Sequence, residues 1–326
     1  MCGIVGFTGS ANAVPKIIKG LKVLEYRGYD SVGLAGHSEE GISLIKCKGR
    51  VDSLREKIAA ETFPETTSAI GHTRWATHGG PSDINAHPHL AENVAIVHNG
   101  IIENYRELKT ELEKKGVQFL SETDTEVAAQ VINDEYKKCG NPVTAIKNSI
   151  KRLEGSYAFG IIFKDFDGKV FAVRKDSPLI LASGPDGGYI ASDMTALLPF
   201  TNTFCFLEEG EIAELTPDSI KIVDTEGQET EPIWKKSDMT VESAEKQGYE
   251  HFMLKEIHEQ PTSFSRTVGP RIKNGLPDLS ADGITDELLE KIEKVYVVAC
   301  GSAMHAGLVG KYYIEKLAKI SVTVEI

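Results

Sequence analysis

Nowhere in the 326 residues does an apolar run reach the eighteen or so positions that a membrane-crossing helix needs. The N-terminus lacks a basic stretch followed by an apolar one, so no secretory signal is expected. Basic charge is in deficit, with 36 Lys plus Arg against 48 Asp plus Glu and a formal net charge of −12. That balance argues against nucleic acid as the main partner, while leaving room for a local cationic pocket around a small anion. Cysteine is sparse. The five (Cys2, Cys47, Cys139, Cys205, Cys300) are scattered, and no two stand at metal-ligand spacing. Their odd number, in a chain long enough to build a core without staples, predicts free thiols in a reducing cytosol. No repeat or low-complexity tract interrupts the chain. What remains is 41% hydrophobic and 26% charged, the composition of one large or two ordinary globular domains.

The most informative residue is Cys2, which opens the run Cys2-Gly3-Ile4-Val5-Gly6 directly after Met1. Removal of Met1 would leave a thiol and a free α-amine on one residue. An α-amine titrates near pH 8, at about 7.7–8.0, and can take the thiol proton without a recruited histidine. In isolation, Met-Cys is an ordinary start with a small second residue, and the rest of the chain has to decide.

Apolar spacing at Val14, Ile17, Ile18, Leu21 and Leu24 predicts a helix over 12–26. Strands are expected at 32–35, 42–45, 68–73 and 94–98. Thr123-Asp124-Thr125-Glu126 reads as a capping box opening a helix to about Lys138, and a second helix runs to about Leu153. From Ser156 the chain becomes a series of short strands at 157–163, 170–174, 179–182, 189–192, 203–206, 211–215 and 220–223. This mixture lacks strict β-α alternation and favours layered sheets with helices outside. Residues 226–250 read as a linker. A helix at 251–265, another at 285–292, a buried-type strand at 294–299, a helix from the Cys300-Gly301-Ser302 turn and a last strand at 321–326 follow. One β-α-β unit cannot close a sheet, so the second domain is expected to be a fragment.

Polar clusters fall at strand ends, where loops carry side chains into clefts. Gly71-His72-Thr73-Arg74-Trp75-Ala76-Thr77-His78-Gly79 is the densest. Its Arg suits bidentate capture of a carboxylate, although a surface loop with a packed Trp has the same composition. His98-Asn99-Gly100 offers a side-chain amide beside a glycine N–H, either an oxyanion-binding pair or simply a tight turn. Asn85-Ala86-His87-Pro88-His89 matches no metal signature and suits a substrate carboxylate better. Asp124 can cap its helix or pair with an ammonium group. Arg27, ending the first helix, is either a solvated cation favoured by the helix dipole or a charge that lowers the Cys2 pKa.

In order, Cys2–Gly6, Tyr26-Arg27-Gly28-Tyr29-Asp30-Ser31, His72–Gly79, His98-Asn99-Gly100-Ile101-Ile102-Glu103-Asn104-Tyr105 and Ser121–Glu126 resemble the class II glutamine amidotransferases. Glu256-Ile257-His258-Glu259-Gln260-Pro261 and Cys300-Gly301-Ser302 resemble the linker and first strand of the sugar-isomerase domain that one branch of this family carries. The resemblance implies an α+β fold. A four-layer αββα N-terminal-nucleophile sandwich would occupy residues 2–240, and a truncated α/β sugar-isomerase-type domain would occupy 241–326. It further implies that Cys2 attacks the side-chain amide of L-glutamine and that Asn99 and Gly100 hold the oxyanion. Arg74, Thr77, His78 and His87 would grip the glutamine carboxylate and Asp124 its ammonium. Arg27 would support Cys2, and Trp75 would gate ammonia. No cofactor or metal is implied. The full-length enzyme, expected to be cytoplasmic and homodimeric, would pass ammonia to fructose 6-phosphate. The isomerase turn of that branch usually reads Cys-Gly-Thr-Ser, and Ala303 here lacks the last hydroxyl.

Two other readings remain open at this level. Amidotransferases of the phosphoribosyl or asparagine-forming types would need a pyrophosphate-binding or adenylating motif, and none is evident. A glutamine-sensing module without turnover would follow if Met1 stayed attached, because the amine would then be an amide and too far from the thiol. A scaffold without activity is the blandest alternative.

Overall fold

The structure is a computed structural model that describes residues 2–76, 78–239 and 248–326. It divides into two compact units, Met1–Glu245 and Lys246–Ile326.

The first unit contains strands β1 (Gly3–Gly9), β2 (Ser31–Ser38), β3 (Gly41–Lys48), β4 (Ser68–Arg74), β5 (His89–Ala91), β6 (Val94–Ile102), β7 (Gly155–Phe163), β8 (Val170–Lys175), β9 (Ile180–Gly184), β10 (Gly187–Ala191), β11 (Thr203–Phe206), β12 (Ile212–Leu215), β13 (Ile220–Val223), β14 (Glu229–Thr230) and β15 (Lys235–Lys236). Its helices are α1 (Ala13–Leu24), α2 (Val51–Glu61), α3 (Tyr105–Lys114), α4 (Asp124–Cys139) and α5 (Pro142–Ile150). One sheet has the order β15-β11-β9-β10-β1-β4-β2-β3 and the other β14-β13-β12-β8-β7-β6-β5. Every ladder between these strands is antiparallel.

Three apolar cores define the layers. Ile4, Ile70 and Ile190 of the first sheet pack with Val97, Ala158 and Ile162 of the second, so the sheets meet face to face. Ile17, Leu21 and Leu24 of α1 and Leu54 of α2 cover the outer face of the first sheet. Leu108 and Leu112 of α3, Val131 and Ile132 of α4, and Ile146 of α5 cover the outer face of the second. The result is the expected four-layer αββα sandwich.

Local chemistry sets the helix ends. The Asn12 side chain caps α1 by accepting from Val14 N at 3.0 Å. α4 begins with Thr123 as the cap, accepting from Glu126 N at 3.2 Å. Asp124 is therefore the first helical residue and is free of capping duty. Glu126 reaches back past the cap to Leu120 N and Ser121 N, a longer grasp than a standard capping box. α4 stops at Gly140 in the left-handed region, and Asn141-Pro142 starts α5 at once.

The structure departs from the sequence reading in several places. β1, α2 and α3 had no expected counterpart. β6 continues through Asn99 and Gly100 to Ile102, so these residues are strand and not turn. The stretch read as linker contributes β14 and β15, each an outer strand of one sheet.

In the second unit, α6 (Phe252–Val268), the β16 (Ile272–Lys273) and β17 (Leu276–Pro277) ribbon and the short α7 (Asp286–Leu289) precede one β-α-β element. There β18 (Lys294–Val298) and β19 (Ser321–Glu325) pair in parallel, with α8 (Gly301–Leu317) between them in sequence. β18 is not the buried strand expected. Tyr296 is 64% and Val298 74% exposed, because among the described residues β18 pairs with β19 alone. Among the described residues no helix is long and apolar enough to cross a membrane.

Candidate active site

The candidate residues converge from both sheets of the first unit. Gly3 of β1 pairs with Thr73 of β4, which brings Cys2 beside Arg74 and Trp75. A Cβ on Gly3 would lie 2.7 Å from both Leu24 Cβ and Thr73 Oγ1, so only glycine lets β1 enter here. The Cys2 thiol is clasped by one residue's backbone. Trp75 N donates to Sγ at 3.2 Å, and Sγ donates to Trp75 O at 3.5 Å. Burial pushes the Cys2 thiol above its usual pKa, while the Trp75 N–H and the Arg74 cation pull the other way and Asp30 adds to the rise. A thiol that stays protonated needs an adjacent base to become a nucleophile.

From the second sheet comes Asn99, whose Nδ2 donates to Cys2 O at 3.2 Å. Its Oδ1 meets His72 Nε2 at 3.0 Å. Gly100 has φ +132, and a Cβ there would lie 2.1 Å from Ser156 O. This backbone position admits only glycine. Asp124 is buried and accepts from Ile102 N at 2.8 Å, which holds the start of α4 against the end of β6.

Arg74 is nearly enclosed. Its Nη2 donates to His78 O and, at 2.9 Å, to Gly79 O, while Nη1 is buried with no partner among the described residues. The Arg74–Ala76 backbone is tied down through Asp30, which accepts from Ala76 N and donates its own N–H to Arg74 O at 3.1 Å. Trp75 projects its ring outward, 46% exposed, edge-on to Tyr29 at 5.3 Å. The His78 ring stands edge-on to Tyr105 at 5.6 Å. Thr77 lies outside the described residues. Arg27 forms an ion pair with Asp193 at 2.7 Å.

Behind these groups lie four buried histidines. His72 and His87 stack at 4.2 Å, His87 meets His89 edge-on at 5.0 Å, and His98 lies parallel to His87 at 6.5 Å. Burial drives His72 down to about 3, and holds His87 and His89 well below the usual imidazole range. His98 is also lowered by burial, against the pull of Asp124 4.0 Å away. His87 is thus a neutral ring whose Nδ1 accepts from His98 N at 3.4 Å, which leaves Nε2–H as its one donor.

Residues 72–199 match the glutamine amidotransferase domain family. All of this chain aligns with glutamine–fructose-6-phosphate aminotransferases at 48% identity in Caldanaerobacter subterraneus subsp. tengcongensis and 49% in Clostridium tetani, covering 54% of each relative. The chain carries a glutamine amidotransferase domain. It spans about half the length of the curated relatives it matches. The fold of this amidotransferase is also that of a glutamine phosphoribosylpyrophosphate amidotransferase from B. subtilis, with a TM-score of 0.61 at 21% identity, covering 99% of this chain and 65% of that one.

Three residues of this amidotransferase site escaped the sequence reading. His72 was noticed only as part of its cluster. Asp30 is the anchor of the Trp75-Ala76 backbone. Asn85 clasps Glu122 twice, Nδ2 to Oε2 at 3.1 Å and Glu122 N to Oδ1 at 3.0 Å, which joins the 80–88 loop to the start of α4. Each acts across 27 or more residues of sequence, and no local pattern announces such a contact.

Proposed function

We propose that this chain hydrolyses the side-chain amide of L-glutamine through a Cys2 thioester once Met1 is removed. The observation that carries this reading is the placement of a backbone-clasped thiol at the start of β1 beside the Asn99 amide from the facing sheet. The freed α-amine takes the thiol proton, and Sγ attacks the amide carbon. The oxyanion is met by the second N–H of Asn99 Nδ2 and by the Gly100 N–H. The ammonium returns its proton to the leaving nitrogen, ammonia departs, and water cleaves the thioester to glutamate. Removing one such oxyanion donor typically costs about 100- to 1000-fold in rate.

The glutamine carboxylate would be held by Arg74, whose buried Nη1 has donors to spare, together with Thr77, His78 and the His87 Nε2–H. Asp124 would take the ammonium, Arg27 would support the Cys2 segment, and Trp75 would gate the ammonia. The relatives, glutamine–fructose-6-phosphate aminotransferases by name, point to the acceptor. In the full-length protein the ammonia would convert fructose 6-phosphate to glucosamine 6-phosphate, and residues 241–326 would begin the isomerase domain. The chain by itself is expected to keep the glutaminase step and lack the synthase step.

The test is glutamate release from L-glutamine by the chain, by a Cys2→Ala variant, and by the chain with fructose 6-phosphate added, with the N-terminal residue read by mass spectrometry. Release that vanishes in Cys2→Ala, without glucosamine 6-phosphate in any sample, is the expected result. A Met-free chain that releases no glutamate would overturn it in favour of glutamine sensing.

A further inference from the structure

Building on the glutaminase reading, we infer that His72 is a positioning residue that fixes which end of the Asn99 amide faces the reaction. An Asn side chain can point either its oxygen or its NH2 at a given neighbour, and the two ends have opposite effects on an oxyanion. At this site the ambiguity is removed by backbone chemistry. The Cys2 carbonyl can only accept, so the Asn99 atom 3.2 Å from it must be the NH2 group. Oδ1 is then turned to His72 Nε2 at 3.0 Å, and that nitrogen must carry the proton. The ring is buried, stacked on His87 at 4.2 Å, and neutral, with its Nδ1 enclosed and without a partner among the described residues. One tautomer of one ring thus holds Oδ1 away from the thiol and leaves the second N–H of Asn99 for the oxyanion. Loss of the Nε2 donor frees the amide to flip, which would aim a carbonyl oxygen at the developing negative charge.

The side chain that imitates this donor is Gln, whose amide nitrogen reaches as far as Nε2. An Asn amide reaches only as far as Nδ1. Three variants, His72→Phe, His72→Asn and His72→Gln, separate a donor at the right place from a ring that merely fills space. For each, kcat and KM for glutamine hydrolysis are measured beside the rate of Cys2 alkylation by iodoacetamide, a reaction that needs the thiol and no oxyanion site. We expect kcat in Phe and Asn to fall at least 30-fold, KM to change less than threefold, alkylation to stay within twofold, and Gln to recover at least tenfold of the loss. A Phe variant with kcat within twofold of the parent overturns the inference. So does a kcat loss matched by an equal loss of alkylation, or a Gln variant no better than Asn. A parent without glutaminase activity overturns the preceding functional reading, and this one with it. A parent that is active beside unaffected variants overturns this one alone.

Discussion

β6 opens with the apolar run Val94-Ala95-Ile96-Val97 and β18 carries Val295-Tyr296-Val297-Val298, and the two strands meet opposite fates. β6 pairs with β5 and β7, and Val94, Ala95, Ile96 and Val97 are all fully buried. Among the described residues β18 pairs with β19 alone, and alternate side chains stand in solvent. Strand propensity is local and was satisfied in both cases, whereas burial depends on what other elements supply. An apolar strand therefore declares a need for cover without showing that the cover is present. The same contrast holds for histidine. His72, His87, His89 and His98 are enclosed in the first unit, while His251, His258 and His305 of the second are exposed.

This contrast can be broken by substitution. Phe163 is fully buried against Tyr136 and Phe171, and Phe163→Ala should destabilise the first unit by about 3–5 kcal/mol, read from its urea midpoint. A loss below about 1 kcal/mol would mean the enclosed core is not what holds this unit.

Acid should sharpen it further. The four enclosed imidazoles have folded-state pKa values below the unfolded value of about 6.5. Below that pH the unfolded chain takes up protons that the folded unit refuses. Stability is therefore intact above about pH 6.5 and is lost as pH falls toward the folded values, at up to about 1.4 kcal/mol per pH unit for each ring. Amide exchange at pH 7.5, 6.5 and 5.5 should show the β6 and β7 amides losing protection steeply and the β18 amides changing little. Equal slopes in both units would dismiss the role of the enclosed rings.

The smallest effect is expected in β18. Val298→Thr keeps a β-branched side chain at a 74% exposed position and should change stability by less than about 0.5 kcal/mol. A larger loss, seen in thermal unfolding, would show that this strand is covered in solution.

What could be read from sequence follows the same division. Helical spacing in α1 and the strands from β7 to β13 were legible because their patterns are local. β1 was not, because all seven of its residues are buried and Gly3, Gly6 and Gly9 interrupt any alternation. α3 was obscured by its polar composition, with only Leu108 and Leu112 turned inward. At the site, Cys2, Arg74, Asn99 and Asp124 were named from motif and resemblance, and the structure brings them together from β1, β4, β6 and α4. The partners that orient them, His72, Asp30 and Asn85, were silent because their meaning lies in contacts between distant segments.

The Trp75 clasp has one more consequence. Because the thiol exchanges hydrogen bonds with the N–H and the C=O of a single residue, Cys2 has no orientation of its own apart from that peptide. Any movement that turns the Trp75 backbone must release the sulfur, and any reagent that captures the sulfur must contend with that backbone. The exposed indole on the same residue makes this visible from outside, since its fluorescence and the thiol's reactivity register one shared displacement. In this protein the Cys2 thiol also serves as a position gauge for the Trp75 backbone.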